Sequence, residues 1–206
     1  MREPIIIIEH LEDRLGLWVF LEYRHSSLIV GRNRLWFTNV PRRYHSLLKR
    51  YGYVYEESIV ELADKDAVPR EKIVILDPDA EKSLEYSDLE DSYIVIGGIL
   101  GDHPPRKRTK KLLTQRLPGV RTRNIGNGQY SIDGAVYYVQ YLWENKTLSG
   151  FRYIDGITIE TREGYIRLPF RYPLENNKPV LAPGLIEYLT GKPLPKDILK
   201  EINLSQ

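Results

Sequence analysis

The chain has 206 residues, 42% of them hydrophobic, enough to bury roughly 70% of its unfolded surface in one domain without covalent staples. With no cysteine a disulfide framework, a thiolate zinc site and a sulfur nucleophile are excluded, and apolar runs such as Ile5–Ile8 are far too short to cross a bilayer. Thirty basic and 28 acidic residues leave a formal net charge of +2, which taken alone suggests no charged partner.

The β-branched run Ile5–Ile8 reads as a buried strand stopped by Glu9 and His10. A helical spacing of apolar residues then runs from Leu11 to Val30, with Gly31 as its stop. Leu35–Thr38 reads as a strand, and a helix is expected from Pro41 through Leu47 and Leu48 to Tyr51. Glu57–Ala63 is a short helical candidate. Lys72–Leu76 and Ser92–Ile96 are two further strands, ended by Asp77-Pro78 and by Gly97-Gly98. A helix over Arg106–Arg116 follows Pro104-Pro105, and Val120–Ile125 is a strand before a Gly126-Asn-Gly loop. Asp133–Asn145 is a Tyr- and Trp-rich amphipathic helix. From Phe151 onward short extended pieces alternate with turns, and a last helix covers Leu185–Leu189. The expected division is residues 1–150 as one domain and 151–206 as an appendage packed on it.

Strands apolar on both faces that alternate with helices predict an α/β fold, an open and mostly parallel sheet covered on both sides. Such sheets take ligands beyond the carboxyl ends of their strands. Glu9-His10, Asp77-Pro78 and Gly97-Gly98 all fall on that rim, so three separate strand ends point to one site.

The informative stretch is Ile96-Gly-Gly-Ile-Leu-Gly-Asp-His-Pro-Pro-Arg-Lys-Arg-Thr109. Three glycines within five residues let backbone approach a ligand closely, and two prolines stiffen the exit. The stretch lacks the Gly-Lys-Ser/Thr ending of a phosphate-binding loop and the glycine spacing of a dinucleotide fingerprint.

Gly97 to Arg106, followed by Thr109-Lys110, resembles the GGILGDHPPR signature of a small family of SPOUT-class, trefoil-knot methyltransferases. Ile8-Glu-His10, Trp18-Val, Leu21-Glu-Tyr23, Leu76-Asp-Pro78, Arg123, Gly126, Gln129, Asp133, Pro169-Phe-Arg-Tyr172 and Pro183-Gly184 match it in the same order. The yeast member is an arginine N-methyltransferase of a small-subunit ribosomal protein. The resemblance implies a C-terminal trefoil knot and S-adenosylmethionine as cofactor, with no metal. By the same resemblance the cofactor lies among three loops. They contribute Leu76, Asp77 and Pro78; Gly97, Gly98, Ile99, Leu100, Gly101, Asp102, His103 and Pro104; and Arg123, Asn124, Ile125, Gly126 and Gln129.

Methyl transfer from a sulfonium is an in-line displacement, so alignment matters more than a strong acid. Asp102 is the first candidate for orienting the acceptor, or else it serves turn chemistry ahead of Pro104. Glu9 is a second catalytic candidate with His10, unless both are buried groups satisfied by backbone. Arg106 either grips a carboxylate of cofactor or substrate or is a solvated first-turn residue. Glu22 is expected in a structural ion pair with an arginine, and Arg171 in an aromatic stack. Valine at Gly98 is expected to fill the cradle and block the cofactor.

Read by segment, the near-neutral charge is a cancellation. Tyr23–Tyr55 holds seven basic residues and no acid, His103–Ile132 holds eight and no acid, and Glu56–Asp91 holds thirteen acids against four bases. A basic surface near the cofactor rim is therefore expected. The resemblance favours a ribosomal-protein arginine as acceptor, with the basic surface against ribosomal RNA. An RNA methyltransferase and a non-enzymatic ribosome-binding factor are the alternatives. A monomer is expected rather than a homodimer, in the cytoplasm, with a composition that suits high temperature.

Overall fold

Four consecutive isoleucines send β-branched side chains to both faces of a strand. In the computed structural model they begin β1 (Ile5–His10), an inner strand of a six-stranded sheet. The structure describes residues 2–101 and 108–203. The chain continues through α1 (Leu17–Val30), β2 (Leu35–Thr38), α2 (His45–Leu48), β3 (Tyr53–Val54) and α3 (Ile59–Asp64). Next come β4 (Ile73–Leu76), β5 (Tyr93–Gly98), α4 (Arg108–Leu112), β6 (Arg121–Arg123) and α5 (Ile132–Asn145). A hairpin of β7 (Tyr153–Thr161) and β8 (Gly164–Glu175) follows, then β9 (Lys178–Pro179), α6 (Leu185–Leu189) and α7 (Lys196–Asn203).

The sheet order is β3-β2-β1-β5-β4-β6, with every neighbouring pair parallel. Strand order reverses between β1 and β5, which places the topological switch point beside their carboxyl ends. Ile6 and Ile8 pack into the core beneath α1 and α5, while Ile7 packs on the other face with Ile59, Leu62, Leu113 and Leu117. The parallel sheet with helices on both faces, expected from the sequence, is the one found.

Element ends differ from expectation where pairing, rather than apolarity, sets them. Glu9 and His10 do not stop β1 but extend it, because they pair in register with Gly97 and Gly98 of β5. The helix expected from Leu11 starts at Leu17, after Gly16, and the intervening loop turns back so that Glu12 accepts from the Leu100 N–H at 2.8 Å. The helix expected over 41–51 is a 3₁₀ turn followed by the single turn α2. The extended pieces after Phe151 are one long antiparallel hairpin, bulged between Asp155 and Ile157.

The hairpin has its own core of Ile159, Leu168, Phe170 and Tyr172, against which Trp18 and Leu189 pack. Charges expected to form separate surfaces are partly paired across segments. Arg42 meets Glu56, Arg123 meets Asp88, and buried Arg24 meets Asp197 and Glu201 of α7. The trefoil threading implied by the resemblance includes the Gly97–Pro105 loop, of which residues 102–105 lie outside the described residues.

Candidate active site

Between the carboxyl ends of β4 and β5 and the first turn of α5 lies a cleft. Leu76, Asp77 and Pro78 line one side and Ile96, Gly97 and Ile99 another, with Thr109 reaching in from α4. Ile125, Gly126, Gly128, Gln129, Tyr130 and Ser131 form the third wall, closed by Ile132 and Ala135 of α5. Apolar side chains and glycine backbone dominate, as in sites for flat, largely apolar ligands.

Each wall is set locally. The Asp77 carboxylate accepts from the Asp79 N–H at 2.9 Å and from the Thr114 hydroxyl at 2.7 Å, so it shapes its own turn. Gly126 has φ +91°, and its N–H donates to Asn124 Oδ1 at 3.0 Å. Asn124 also donates to the Ala80 carbonyl at 2.8 Å, and Arg123 grips the Asp88 carboxylate with two 2.7 Å bonds. Expected as cofactor contacts, Arg123 and Asn124 brace the third wall from behind and do not line the cleft. Ser131 caps α5 by accepting from the Gly134 N–H at 3.2 Å, which turns the helix N-terminus toward the cleft.

The glycine stretch divides into two. Gly97 faces the cleft side, where a Cβ would lie 3.3 Å from Thr109 Oγ1. Gly98 faces the opposite layer, where a Cβ would lie 2.1 Å from the Tyr23 hydroxyl and 2.8 Å from the Glu9 carbonyl oxygen. Gly98 is thus a close-packing glycine on α1 and not a wall of the cleft, and valine there strikes Tyr23 instead of filling the cradle. Leu100 and Gly101 sit beside the lining: the Leu100 carbonyl accepts from Arg108, and Gly101 abuts Gln129 and Phe170.

Glu9 is 1% exposed, and its Oε2 accepts from the Thr38 hydroxyl at 2.5 Å and the Ile59 N–H at 2.9 Å. Burial pushes its carboxyl up to about 7. It does not line the cleft, and its carboxylate ties the start of α3 to the sheet. His10 is also buried, with Nδ1 3.0 Å from the Tyr23 hydroxyl, which donates to the Gly98 carbonyl at 3.3 Å. His10 Nε2 has no partner among the described residues. Burial lowers the imidazole to about 4, so it stays neutral.

Glu22, expected to pair with an arginine, instead accepts from the Trp18 indole at 2.7 Å and from the Ile132 N–H at 2.9 Å. Burial, then the nearby Asp133 carboxylate, pushes its carboxyl well above the usual range. Asp133 itself meets His25 Nδ1 at 2.7 Å. The candidates Asp102, His103, Pro104 and Arg106 lie outside the described residues. Tyr130, Ser131, Ile132 and Ala135 of the lining escaped the sequence reading, and Thr109 entered it as part of the signature but not as a site residue. Only Ser131, a good N-cap before a periodic run, carried a usable signal.

The sequence matches the family model for protein arginine N-methyltransferase SFM1-like proteins over residues 5–193. It is 30% identical over 197 residues to protein arginine N-methyltransferase SFM1 of Saccharomyces cerevisiae, covering 89% of this chain and 92% of that protein. The crystal structure of the yeast arginine methyltransferase SFM1 complexed with SAM is similar with a TM-score of 0.82 and 28% identity, over 93% of this chain and 92% of that one. A dual-specific Trm10 from Thermococcus kodakaraensis shares the fold alone, with a TM-score of 0.59 and 20% identity over 71% of this chain and 96% of that one. By the length and continuity of the match, the chain belongs to the SFM1-like family of protein arginine N-methyltransferases.

Proposed function

We propose that this protein transfers a methyl group from S-adenosylmethionine to an arginine side chain of another protein. The observation that carries the reading is the convergence of the β4, β5 and Gly126–Ser131 segments on one apolar cleft, in a chain of this family. The cleft suits the cofactor. Leu76, Ile96, Ile99 and Ile125 offer apolar walls to a flat base, and Gly97, Gly126 and Gly128 leave backbone open to it.

When bound, the cofactor supplies a methyl group on a sulfonium. The chain's part is to hold that group, align the acceptor and keep water away. Leu76, Asp77, Pro78, Gly97, Ile99, Ile125, Gly126 and Gln129 are the proposed holding residues, with Gly98, Leu100, Gly101, Arg123 and Asn124 shaping their loops. On sequence grounds Asp102 orients the guanidinium and takes up its developing charge, Arg106 grips a carboxylate, and His103-Pro104 belong to the same loop. Glu9 is not part of this proposal, because it does not line the cleft and its Oε2 ties Thr38 to the Ile59 N–H.

We further propose a ribosomal protein as the acceptor, on the resemblance to the yeast member, with the enzyme acting as a cytoplasmic monomer. Exposed Arg32, Arg43, Lys49 and Arg50 around α2 supply a basic surface for the surrounding ribosomal RNA. Incubating labelled S-adenosylmethionine with the enzyme and an extract lacking it tests the reading. Label that protease releases supports it. Label that only nuclease releases replaces it with RNA methylation, and cofactor binding without label replaces it with a binding factor.

A further inference from the structure

Strand β8 carries Arg171 along the outer side of the third cleft wall. Its backbone N–H donates to the Gln129 carbonyl at 2.7 Å, and Arg171 pairs with Tyr130 in an isolated parallel bridge. Its guanidinium donates to both carboxylate oxygens of Asp155, at 2.7 and 3.0 Å. The same guanidinium lies 3.9 Å over the Tyr153 ring and 5.8 Å from the centre of the Tyr130 ring. The Arg171 side chain is 13% exposed and that of Asp155 63%, so the arginine is the inner partner.

Two glycines of the cleft wall face this group. A Cβ on Gly128 would lie 2.4 Å from Arg171 Cζ and Nε, and one on Gly126 would lie 3.4 Å from Nη1. Gly128 does not occupy the left-handed region, so its backbone would accept an alanine. What excludes a side chain there is the guanidinium. Arg171 would ordinarily swing aside, but the Asp155 fork and the Tyr153 stack hold it in place.

We infer that Arg171 is a positioning residue for the cofactor cleft, locking the Gly126–Tyr130 wall to the C-terminal hairpin. It acts through Gly126, Gly128, Gln129 and Tyr130, all of which line the cleft. A planar guanidinium is suited to this place because its edge pairs with a carboxylate while its face lies on an aromatic ring. A lysine reaches one partner at a time. The hairpin retains its own apolar anchors, Leu168, Phe170 and Tyr172, when Arg171 is removed.

The inference rests on the cofactor reading above, and the test separates the two. S-adenosylhomocysteine is titrated calorimetrically into wild type, Arg171→Ala, Arg171→Lys, Gly128→Ala and the double variant Gly128→Ala/Arg171→Ala, with melting temperatures recorded for each. Wild type binds, while Arg171→Ala and Gly128→Ala each weaken binding by about tenfold, and Arg171→Lys behaves like Arg171→Ala. The double variant binds no more weakly than Arg171→Ala alone, because the new methyl group enters the vacated space. In methyl transfer, Arg171→Ala raises the KM for S-adenosylmethionine, with kcat held within about twofold. Unchanged affinity in Arg171→Ala, additive losses in the double variant, or a loss of binding explained by lowered melting temperature would overturn the positioning role. A wild-type protein that binds no S-adenosylhomocysteine overturns the cofactor reading instead.

Discussion

The Tyr23 hydroxyl donates to the Gly98 carbonyl across 3.3 Å, and a side chain on Gly98 would begin 2.1 Å from that same hydroxyl oxygen. Helix α1 is therefore seated on the carboxyl end of β5 at van der Waals contact, one residue from the cleft. Gly98→Ala is expected to cost about 3 kcal/mol of stability, at the upper end of overpacking. Gly97→Ala, whose Cβ meets only Thr109 Oγ1 tightly, costs less but weakens cofactor binding. Denaturant midpoints and S-adenosylhomocysteine titrations on the two variants separate these effects. Removing the hydroxyl with Tyr23→Phe should return part of the stability lost in Gly98→Ala, and no return would place the decisive clash on β1, at the Glu9 carbonyl or Ile8 Cγ2.

Glu9 gives a pH signature. Its carboxyl titrates near 7 in the fold against an ordinary value of 4.5, so the folded state holds its proton more tightly than the unfolded state. The stability this contributes is fully present below about 4.5 and is lost as pH rises through about 7. The difference corresponds to about 3 kcal/mol. Both donors to Glu9 meet Oε2, so a glutamine in its place keeps both bonds through its carbonyl oxygen. Glu9→Gln should flatten the stability profile between pH 5 and 7, roughly the window of the shift, and raise stability at pH 8. Equal slopes for the two proteins in urea titrations would show that Glu9 is ionised in the fold throughout.

Glu22 joins α1 to the cleft wall. Glu22→Ala leaves the Ile132 N–H and the Trp18 indole N–H without their acceptor, at a cost of about 3 kcal/mol. Because Ile132 lines the cleft, cofactor affinity should fall as well. Glu22→Gln keeps one of the two bonds and should show a smaller loss of both. If Glu22→Ala lowers stability but leaves S-adenosylhomocysteine binding at wild-type strength, the link from α1 to the cleft is absent.

Asp102 tests the chemistry rather than the fold. Asp102→Ala should abolish label transfer in the extract assay while largely keeping cofactor affinity. Turnover at the wild-type rate would assign Asp102 to turn formation alone.

The strands of the main sheet were legible because parallel, doubly covered strands must be apolar on both faces, and Ile5–Ile8, Ile73–Leu76 and Tyr93–Ile96 are. Their last residues were not. Glu9, His10, Gly97 and Gly98 read as stops, yet they continue the ladder because backbone pairing in register needs no apolar side chain. The two-residue strands β3 and β9 were too short to leave a pattern, whereas α7 carries a start signal in Pro195 and Asp197 that the sequence reading did not use. Among site residues, the glycines and Asp77-Pro78 were visible as strand-end signals. Tyr130 and Ala135 were not, because each enters the cleft from an element whose placement depends on packing, and Thr109 was visible only as part of the signature.

By itself the sequence determined the class of fold, the rim on which the cleft opens, and, through the Gly97–Arg106 block, the family. Those follow from local periodicity and from a contiguous run of residues. Only the tertiary structure decided which glycine faces which layer. Adjacent residues of a strand point to opposite sides, so Gly97 borders the cleft while Gly98 packs on Tyr23. It also decided that Glu9 is a buried anchor, that Glu22 reaches across 110 positions to Ile132, and that Arg171 backs the cleft wall. Those roles depend on pairs distant in the chain, and a pair distant in the chain has no spacing to read.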